Sequence, residues 1–298
     1  MVRRLDAFPV PGGNAATSLL PRISDALDGL GDALLTVPAD AARETERLTG
    51  ALAPGTRVDD AVAMIVATSG TTGVPKGALL TGSALVSGAR ATYDRLGGPG
   101  SWLLPLPPHH IAGMQVLVRS VVAGTDPVVL DVSAGFSPAA LVEAAGRLPP
   151  GRRYTSLVPT QLVKALDDPA AVDTLRGFDA ILVGGAATPA PLRERAADAG
   201  LHLVRTYGMS ETCGGCVYDG VPLDSVRIRI EPDTGRILLG GAVLASGYLG
   251  MPDHPAFAEP GWFRTDDAGT FDDGVLTVTG RLDEAITSGG LTVVPQVV

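Results

Sequence analysis

The chain has 298 residues, of which 45% are hydrophobic and 18% are charged, enough for one large domain or one and a half ordinary ones with a sizeable core. The formal net charge of −9 argues against a nucleic-acid-binding surface, which needs a clustered basic face. No apolar run approaches the length of a membrane span, about 20 residues. We see no signal peptide at the start, and two cysteines fit a reducing, cytoplasmic setting.

The first third of the chain mixes helical and strand patterns. Residues 1–15 are rich in Pro and Gly, which predicts an irregular arm. The spacing of apolar residues then predicts helices over 18–30, 40–52 and 83–96, and strands over 32–37 and 61–67.

The middle of the chain alternates regularly between short apolar strands and helices. Strands are predicted over 101–106, 127–132, 155–158, 180–183 and 201–206. Helices are predicted over 138–147, 159–166 and 191–199, the second with Pro159 at its first position. This alternation is typical of an α/β sheet with crossover helices.

The pattern changes after residue 218. Short strands are predicted over 226–230, 236–239, 243–248 and 275–278, separated by Gly, Pro and Asp turns. We therefore divide the chain into an α/β region (1–220), a smaller β subdomain (221–280) and a last stretch (281–298) that begins another unit.

The strand over 61–67 leads into a loop with four hydroxyl residues, three glycines and one lysine, Thr68-Ser69-Gly70-Thr71-Thr72-Gly73-Val74-Pro75-Lys76-Gly77. Glycines let the backbone approach a ligand closely, so successive N–H groups can surround an anion. The loop therefore suits nucleotide phosphates, although the Walker A spacing is absent. The alternative is a flexible linker, which rarely follows a buried strand.

Three further predicted strands end in polar or Gly-rich loops, over 109–113, 184–188 and 207–215. Ligands of α/β sheets bind outside the carboxyl ends of the strands. We therefore expect the four loops to form one pocket for a nucleotide and a second substrate.

Together these loops resemble the motifs of the adenylate-forming superfamily, the acyl-CoA synthetases and their relatives. Loop 68–77 resembles the phosphate loop, and 206–212 (Thr-Tyr-Gly-Met-Ser-Glu-Thr) resembles the motif whose Tyr stacks on adenine. Segment 262–267 resembles the motif whose last Asp holds the ribose, although many members carry Gly at the position of Asp266, and 280–283 resembles the hinge motif. The resemblance implies an α/β fold, the large N-terminal domain of an adenylate-forming enzyme with helix-flanked sheets and a small β-barrel-like subdomain.

The resemblance also implies ATP and Mg²⁺ as cofactors and CoA as co-substrate. Nucleotide contacts are implied for Thr68, Ser69, Gly70, Thr71, Thr72, Gly73, Lys76, Gly184, Gly185, Ala186, Thr206, Tyr207, Gly208, Met209, Ser210, Asp267 and Arg281. Catalytic roles are implied for Lys76, His110 and Glu211, metal contacts for Glu211 and Thr68, and substrate contacts for His110, Arg119, Gly184, Gly208 and Ser210. The alternatives are a solvated surface acid for Glu211 and a turn cap for Asp267.

Arg119 lies in an apolar stretch over 114–122, where an unpaired guanidinium is costly. It needs an anion, either an internal Asp or Glu or a second carboxylate on the substrate. An Arg nine residues after His110, with segments 156–162, 182–187 and 212–216, is similar to the o-succinylbenzoate–CoA ligase branch of menaquinone biosynthesis, in its short actinobacterial form. The implied substrate is an aromatic keto-diacid.

Three other functions stay open at this point. The first is a ligase for a simple benzoate or fatty acid, and the second is a lid-less adenylate-binding module without turnover. The third is a redox or zinc function, which the C-x-x-C spacing of Cys213 and Cys216 suggests. Zinc would need about four ligands and no second Cys pair exists, so we favour a pocket wall.

The resemblance also makes a prediction about the chain's end. In the family a small lid follows the hinge, here at Asp283, and supplies a lysine to the reaction. We therefore interpret 281–298 as the hinge and the start of that lid, and expect a truncated chain that binds nucleotide and acid but turns over weakly. The N-terminal part is expected to be reduced, and a homodimer is compatible with the resemblance.

Overall fold

The computed structural model describes residues 2–68 and 75–283, together with the backbone of 286–288 and 291–293. The first sheet has the strand order β3-β1-β2-β4-β5, with β1, β2 and β4 parallel. Its strands and the helices between and after them are β1 (Val2–Val10), α1 (Leu20–Leu27), β2 (Ala33–Pro38), α2 (Ala42–Leu52), β3 (Arg57–Asp59), β4 (Val62–Thr68), β5 (Lys76–Thr81) and α3 (Gly82–Leu96).

The irregular arm predicted for residues 1–15 is wrong, because β1 occupies most of it. Leu5, Phe8 and Val10 are buried, and β1 pairs in parallel with β2 from Leu5 to Val10. Apolar residues in a strand can bury their side chains even where Pro and Gly cluster nearby. A 3₁₀ helix, Gly13–Leu19, connects β1 to α1.

The second sheet has the order β12-β11-β10-β9-β8-β6-β7, and its strands from β10 to β7 are parallel. This region confirms the predicted α/β class. Its elements are β6 (Ser101–Leu104), α4 (Ile111–Ala123), β7 (Val128–Val129), α5 (Pro138–Ala145), β8 (Arg153–Leu157), α6 (Pro159–Leu166), α7 (Pro169–Leu175), β9 (Ala180–Val183), α8 (Ala190–Asp198), β10 (Leu203–Met209), β11 (Gly214–Tyr218) and β12 (Val221–Pro222).

The third sheet is antiparallel, with the order β13-β14-β15-β16. Its strands are β13 (Val226–Ile230), β14 (Arg236–Gly241), β15 (Trp262–Asp272) and β16 (Val275–Arg281), followed by a separate pair, β17 (Ile286–Ser288) and β18 (Leu291–Val293). The long strand β15 contains the segment that matches the ribose motif. It was missed as a strand because Asp266, Asp267 and Gly269 interrupt its apolar pattern.

The strand predicted over 243–248 is wrong. The segment is a loop that lies along β5 and forms an isolated bridge between Tyr248 and Ala78. Leu79 N–H donates to the Gly247 carbonyl at 2.9 Å, and Leu249 N–H donates to the Gly77 carbonyl at 2.9 Å. These bonds fasten the loop beside the strand that carries Lys76.

Helix α4 packs against α1, α3, β6 and β11. Every residue from Gly113 to Ser120 is buried. A helix that is apolar on almost all sides can be buried in this way, because it has no polar face that must contact solvent. Within the described residues, no helix combines the length and the hydropathy that crossing a membrane requires.

Candidate nucleotide- and acid-binding site

The carboxyl ends of β4, β9 and β10 and the loop that follows β6 open into one cavity of about 1240 Å³. Thr68, His110, Gly185 and Tyr207 line its side formed by the first two sheets, and residues of the third sheet line the opposite side. Pockets for small ligands commonly enclose about 300–1,000 Å³. This cavity therefore has room for a nucleotide and a further group.

The structure brings most of the predicted site residues to this cavity. Those that line it are Thr68, Lys76, His110, Gly185, Ala186, Thr206, Tyr207, Gly208, Met209, Ser210, Glu211, Asp267 and Arg281. Gly184 and Arg119 do not line it. The predicted Ser69, Gly70, Thr71, Thr72 and Gly73 lie outside the described residues.

Glycines at this edge allow close packing of the backbone. At Gly184, an added Cβ would lie 2.3 Å from Thr206 Oγ1, so this glycine lets β9 approach β10 behind the cavity wall. At Gly208, an added Cβ would lie 2.1 Å from the Gly214 carbonyl oxygen, so β10 and β11 could not pair as they do with any other residue there.

Tyr207 and Asp267 meet across the cavity. The Tyr207 hydroxyl donates to Asp267 Oδ2 at 2.7 Å, and Arg281 Nη1 lies 3.8 Å from Oδ1. Burial raises the pKa of Asp267, while the Tyr207 hydroxyl and Arg281 act in the opposite direction. Asp266 also lines the cavity, and its carboxylate lies 3.2 Å from Arg236 Nη1. Asp267 is the carboxylate that lies beside Tyr207, and it does not act as a turn cap.

Lys76 and Glu211 are joined through Tyr248. The Tyr248 hydroxyl donates to Glu211 Oε1 at 2.5 Å, and the Lys76 ammonium lies 4.9 Å from the centre of the Tyr248 ring. His254 Nε2 lies 3.5 Å from Lys76 Nζ. Glu211 is 7% exposed, so the alternative of a solvated surface acid is wrong. Its burial raises the pKa of the carboxyl, while Tyr248 and Lys76 act to lower it.

Sequence reasoning missed Tyr248 and His254, both of which line the cavity. Tyr248 lies 37 residues after Glu211, and the loop that carries it is placed by its bonds to β5. The only available signal was an aromatic residue in an otherwise apolar segment, which more often indicates a core position.

The residues around Glu211 fit a magnesium ion. Thr68 Oγ1 is buried and has no hydrogen-bond partner among the described residues. In that part of the chain, no group of three or more His, Cys, Asp or Glu is arranged to hold a metal ion. Mg²⁺ binds oxygen ligands and usually relies on one or two carboxylates together with phosphates and water. One carboxylate and one unpartnered hydroxyl, which line the same cavity as Lys76, meet that description.

His109 and His110 lie where β6 leads into α4, and His110 is the N-cap residue of that helix. Their ring centres are 4.1 Å apart, and both side chains line the cavity. Burial lowers the pKa of His109 to about 4, with a further contribution from His110, and burial also lowers the pKa of His110. Both imidazoles are therefore neutral at pH 7. His109, to which the sequence analysis assigned no role of its own, also lines the cavity.

Arg119 is 4% exposed and lies in α4 about 13 Å along the helix axis from His110. Its guanidinium stacks on Trp102, 4.9 Å from the ring centre, and Nη2 donates to the Tyr218 hydroxyl at 3.3 Å. Its Nε has no partner, and no ion pair with Asp or Glu forms in the described part of the chain. The structure thus shows neither the internal salt bridge nor a position on the cavity wall.

Cys213 and Cys216 are free and fully buried. Burial raises the pKa of both thiols, that of Cys216 to about 12. The thiolate is the reactive and metal-binding form, so such thiols are inert. Neither cysteine lines the cavity, so the predicted pocket wall is wrong for these two side chains, and their burial argues against redox or zinc chemistry.

The comparisons with known proteins agree with this geometry. A family described as AMP-binding enzyme matches residues 18–249. The chain is similar to a probable 2-succinylbenzoate–CoA ligase of Mycobacterium tuberculosis, with 58% identity over 97% of this chain and 75% of that protein.

The fold is similar to that of o-succinylbenzoate coenzyme A synthetase (MenE) from Bacillus subtilis. Its structures with ATP and magnesium ion and with the acyl-adenylate intermediate OSB-AMP each give a TM-score of 0.74 at 26% identity. They cover 98% of this chain and 73% and 71%, respectively, of those chains. These matches confirm the resemblance found from the motifs: the chain belongs to the AMP-binding enzyme family.

Proposed function

We propose that this protein is an ATP-dependent, AMP-forming acid–CoA ligase that activates 2-succinylbenzoate as an acyl-adenylate and transfers the acyl group to CoA. The observation that carries the proposal is the meeting, in one cavity, of the Tyr207–Asp267 pair with the Lys76–Tyr248–Glu211 group. The first suits an adenosine and the second suits charged phosphates. The 58% identity to a probable 2-succinylbenzoate–CoA ligase supports the choice of acid.

Different residues of the cavity bind different parts of ATP. Tyr207 offers an aromatic face to adenine, and Asp267 accepts hydrogen bonds from ribose hydroxyls. Lys76 holds phosphate oxygens, and Glu211 with Thr68 would hold Mg²⁺, which neutralises phosphate charge when bound. A carboxylate is already a nucleophile, so the adenylation step needs alignment and charge stabilisation more than it needs a protein base. The neutral pair His109 and His110 adds no charge where the acid would enter.

Arg119 supports a diacid substrate. An uncompensated guanidinium in a buried position favours an anion, and Arg binds carboxylates through two parallel hydrogen bonds. In the described residues Arg119 meets no carboxylate, so the second carboxylate of the acid is the partner we assign to it. A simple benzoate or fatty acid would leave Arg119 without an anionic partner.

The test is a panel of acids offered to the protein with ATP and Mg²⁺, measured by calorimetry and by acid-dependent release of pyrophosphate. We expect 2-succinylbenzoate to bind and to release pyrophosphate, and benzoate and fatty acids to fail. Preference for a mono-acid would instead support a different aryl- or acyl-CoA ligase. AMP binding without pyrophosphate release for any acid would support an adenylate-binding module.

Arg119→Leu tests the assignment of the acid subsite, with Arg119→Lys as a variant that keeps the charge. We expect Arg119→Leu to weaken 2-succinylbenzoate at least tenfold while ATP binding is unchanged, and Arg119→Lys to retain part of the affinity. Equal losses for acid and ATP would mean that Arg119 supports the fold instead. The weak thioester formation, cytoplasmic setting and homodimer expected from the sequence stay predictions.

A further inference from the structure

Gln115 is the least satisfied polar side chain described in the interior. It lies in α4 and is 1% exposed, yet neither Nε2 nor Oε1 has a hydrogen-bond partner among the described residues. Buried polar atoms in native proteins are nearly always paired, so each exception asks for an explanation. Gln161 of this same protein shows the usual solution, since its amide donates to the Pro105 carbonyl at 2.6 Å and accepts from Val158 N–H at 3.0 Å.

Gln115 lies between the cavity and Arg119 on one face of α4. Ile111, which lines the cavity, is one turn before it, and Arg119 is one turn after it. Residues four apart share a helix face and are separated by about 6 Å along the axis. The three side chains therefore form a row that leads from the cavity into the interior, and the two polar members both carry unpartnered nitrogens.

Two glycines make room for the Gln115 amide. An added Cβ at Gly214 of β11 would lie 3.3 Å from Gln115 Cγ, and one at Gly88 of α3 would lie 3.4 Å from Nε2. Gly214 is also next to Ile111, whose Cγ1 would lie 3.7 Å from the same added Cβ. Both elements pack closely on the Gln115 side chain, and at these two contacts they present a glycine backbone and no side chain.

We infer that Gln115 is a specificity-determining residue of the acid subsite, where Nε2 donates a hydrogen bond to the ketone oxygen of an aryl keto-diacid. This inference rests on the proposed function. The order of groups along α4 is the cavity at Ile111, an uncharged donor at Gln115 and a cation at Arg119. In 2-succinylbenzoate the order is the carboxylate to be activated, the ketone and the aromatic carboxylate. Because the two orders agree, we assign the carboxylate to be activated to the cavity beside Ile111, the ketone to Gln115 and the aromatic carboxylate to Arg119.

The ketone is the group that a neutral amide selects. A site built to hydrogen-bond a substrate group rejects the analogue that lacks it, because the site's own polar atoms are then left unpaired. Gln115 has unpaired amide atoms in the ligand-free protein, which is energetically unfavourable. Binding the ketone gives Nε2 a hydrogen-bond partner, whereas an analogue with a methylene at that position does not.

The experiment compares the full chain with Gln115→Met, which has a similar length and no hydrogen-bonding amide. Two acids are titrated by calorimetry, 2-succinylbenzoate and its analogue with a methylene in place of the ketone. We expect the original protein to prefer the ketone acid at least tenfold. The variant should lose that preference while it binds the methylene analogue within about twofold of the original protein.

Thermal unfolding of the ligand-free proteins gives a second readout. Because Gln115→Met removes an unpaired buried amide and keeps the volume, we expect its Tm to equal or exceed that of the original protein. A variant that still prefers the ketone acid would overturn the inference. A lower Tm with equal weakening of both acids would also overturn it, and would make Gln115 a structural residue. Failure of both acids to bind the original protein would instead reject the proposed function, and the inference with it.

Discussion

Replacing Tyr248 with Phe removes one hydroxyl from the link between Lys76 and Glu211. The hydroxyl donates to Glu211 Oε1 at 2.5 Å, while the ring contacts with Lys76 and with Phe257 are kept. Hydrogen bonds to charged groups contribute about 1.5–3 kcal/mol. Tyr248 is 4% exposed, so the hydrogen bond is largely shielded from bulk water. We expect the free energy of unfolding to fall by about 1.5–3 kcal/mol at neutral to alkaline pH.

The same substitution has a pH dependence whose sign follows from Glu211. Burial raises the pKa of this carboxyl in the folded protein, so its ionisation penalises folding. The penalty is absent below the pKa of the unfolded chain and is complete above the pKa of the folded one. The Tyr248 hydroxyl lowers the folded pKa and offsets the penalty only where Glu211 is ionised. At acid pH the lost bond is a neutral one, which contributes about 0.5–1.5 kcal/mol.

Urea denaturation at pH 4 and pH 8 measures this difference, and Tyr154→Phe is the matched control. The Tyr154 hydroxyl donates to the carbonyls of Gly98 and Leu96, at 2.8 and 3.2 Å, which are neutral acceptors. Its loss should cost the same at both pH values. If Tyr248→Phe also costs the same at both, or no more than Tyr154→Phe at pH 8, then Tyr248 does not stabilise the Glu211 carboxylate.

Two further predictions concern the adenosine end of the cavity and the two buried cysteines. Asp267→Asn should weaken AMP binding at least tenfold in calorimetry, because a charged hydrogen bond contributes about 1.5–3 kcal/mol and 1.4 kcal/mol is about tenfold. Asp266→Asn, whose carboxylate faces Arg236, should leave AMP binding unchanged, and equal losses in the two variants would contradict the assignment. Cys213 and Cys216 should resist iodoacetamide at pH 8 in the native protein and react after unfolding in guanidinium, because burial raises the pKa of both thiols. Rapid labelling of the native protein would refute their burial.

Much of the site could be predicted because it lies at strand ends that are short, apolar and locally defined. The strand predicted over 180–183 has those bounds in the structure, and the parallel order of β8, β9 and β10 brings their loops to one edge. The spacing of the ribose motif predicted Asp267, even though Asp266 stands where many family members carry Gly. The pairing of Asp267 with Arg281 in the β15–β16 register explains the choice, since it turns Asp267 toward Tyr207.

What could not be predicted depends on contacts between distant segments. The local composition of residues 1–15 did not predict strand β1, which forms because it pairs with β2. Tyr248 reaches Glu211 because its loop is fastened to β5, which no local pattern encodes. Arg119 is surrounded by Trp102, which precedes it in the sequence, and by Tyr218, which follows it much later.

A comparison of two buried arginines shows why the row on α4 points to a ligand. Arg3 is buried away from the cavity, and its guanidinium donates to five backbone carbonyls, among them Val62 at 3.1 Å and Leu30 at 2.7 Å. Arg119 is equally buried, yet among the described residues its guanidinium makes one long hydrogen bond and its Nε has no partner. The fold can therefore satisfy a buried guanidinium where the cation serves structure alone. Among the described residues it leaves Arg119 and Gln115 unsatisfied one turn apart, on the helix that begins at the cavity. We propose that an acid with a ketone and an aromatic carboxylate supplies the missing partners.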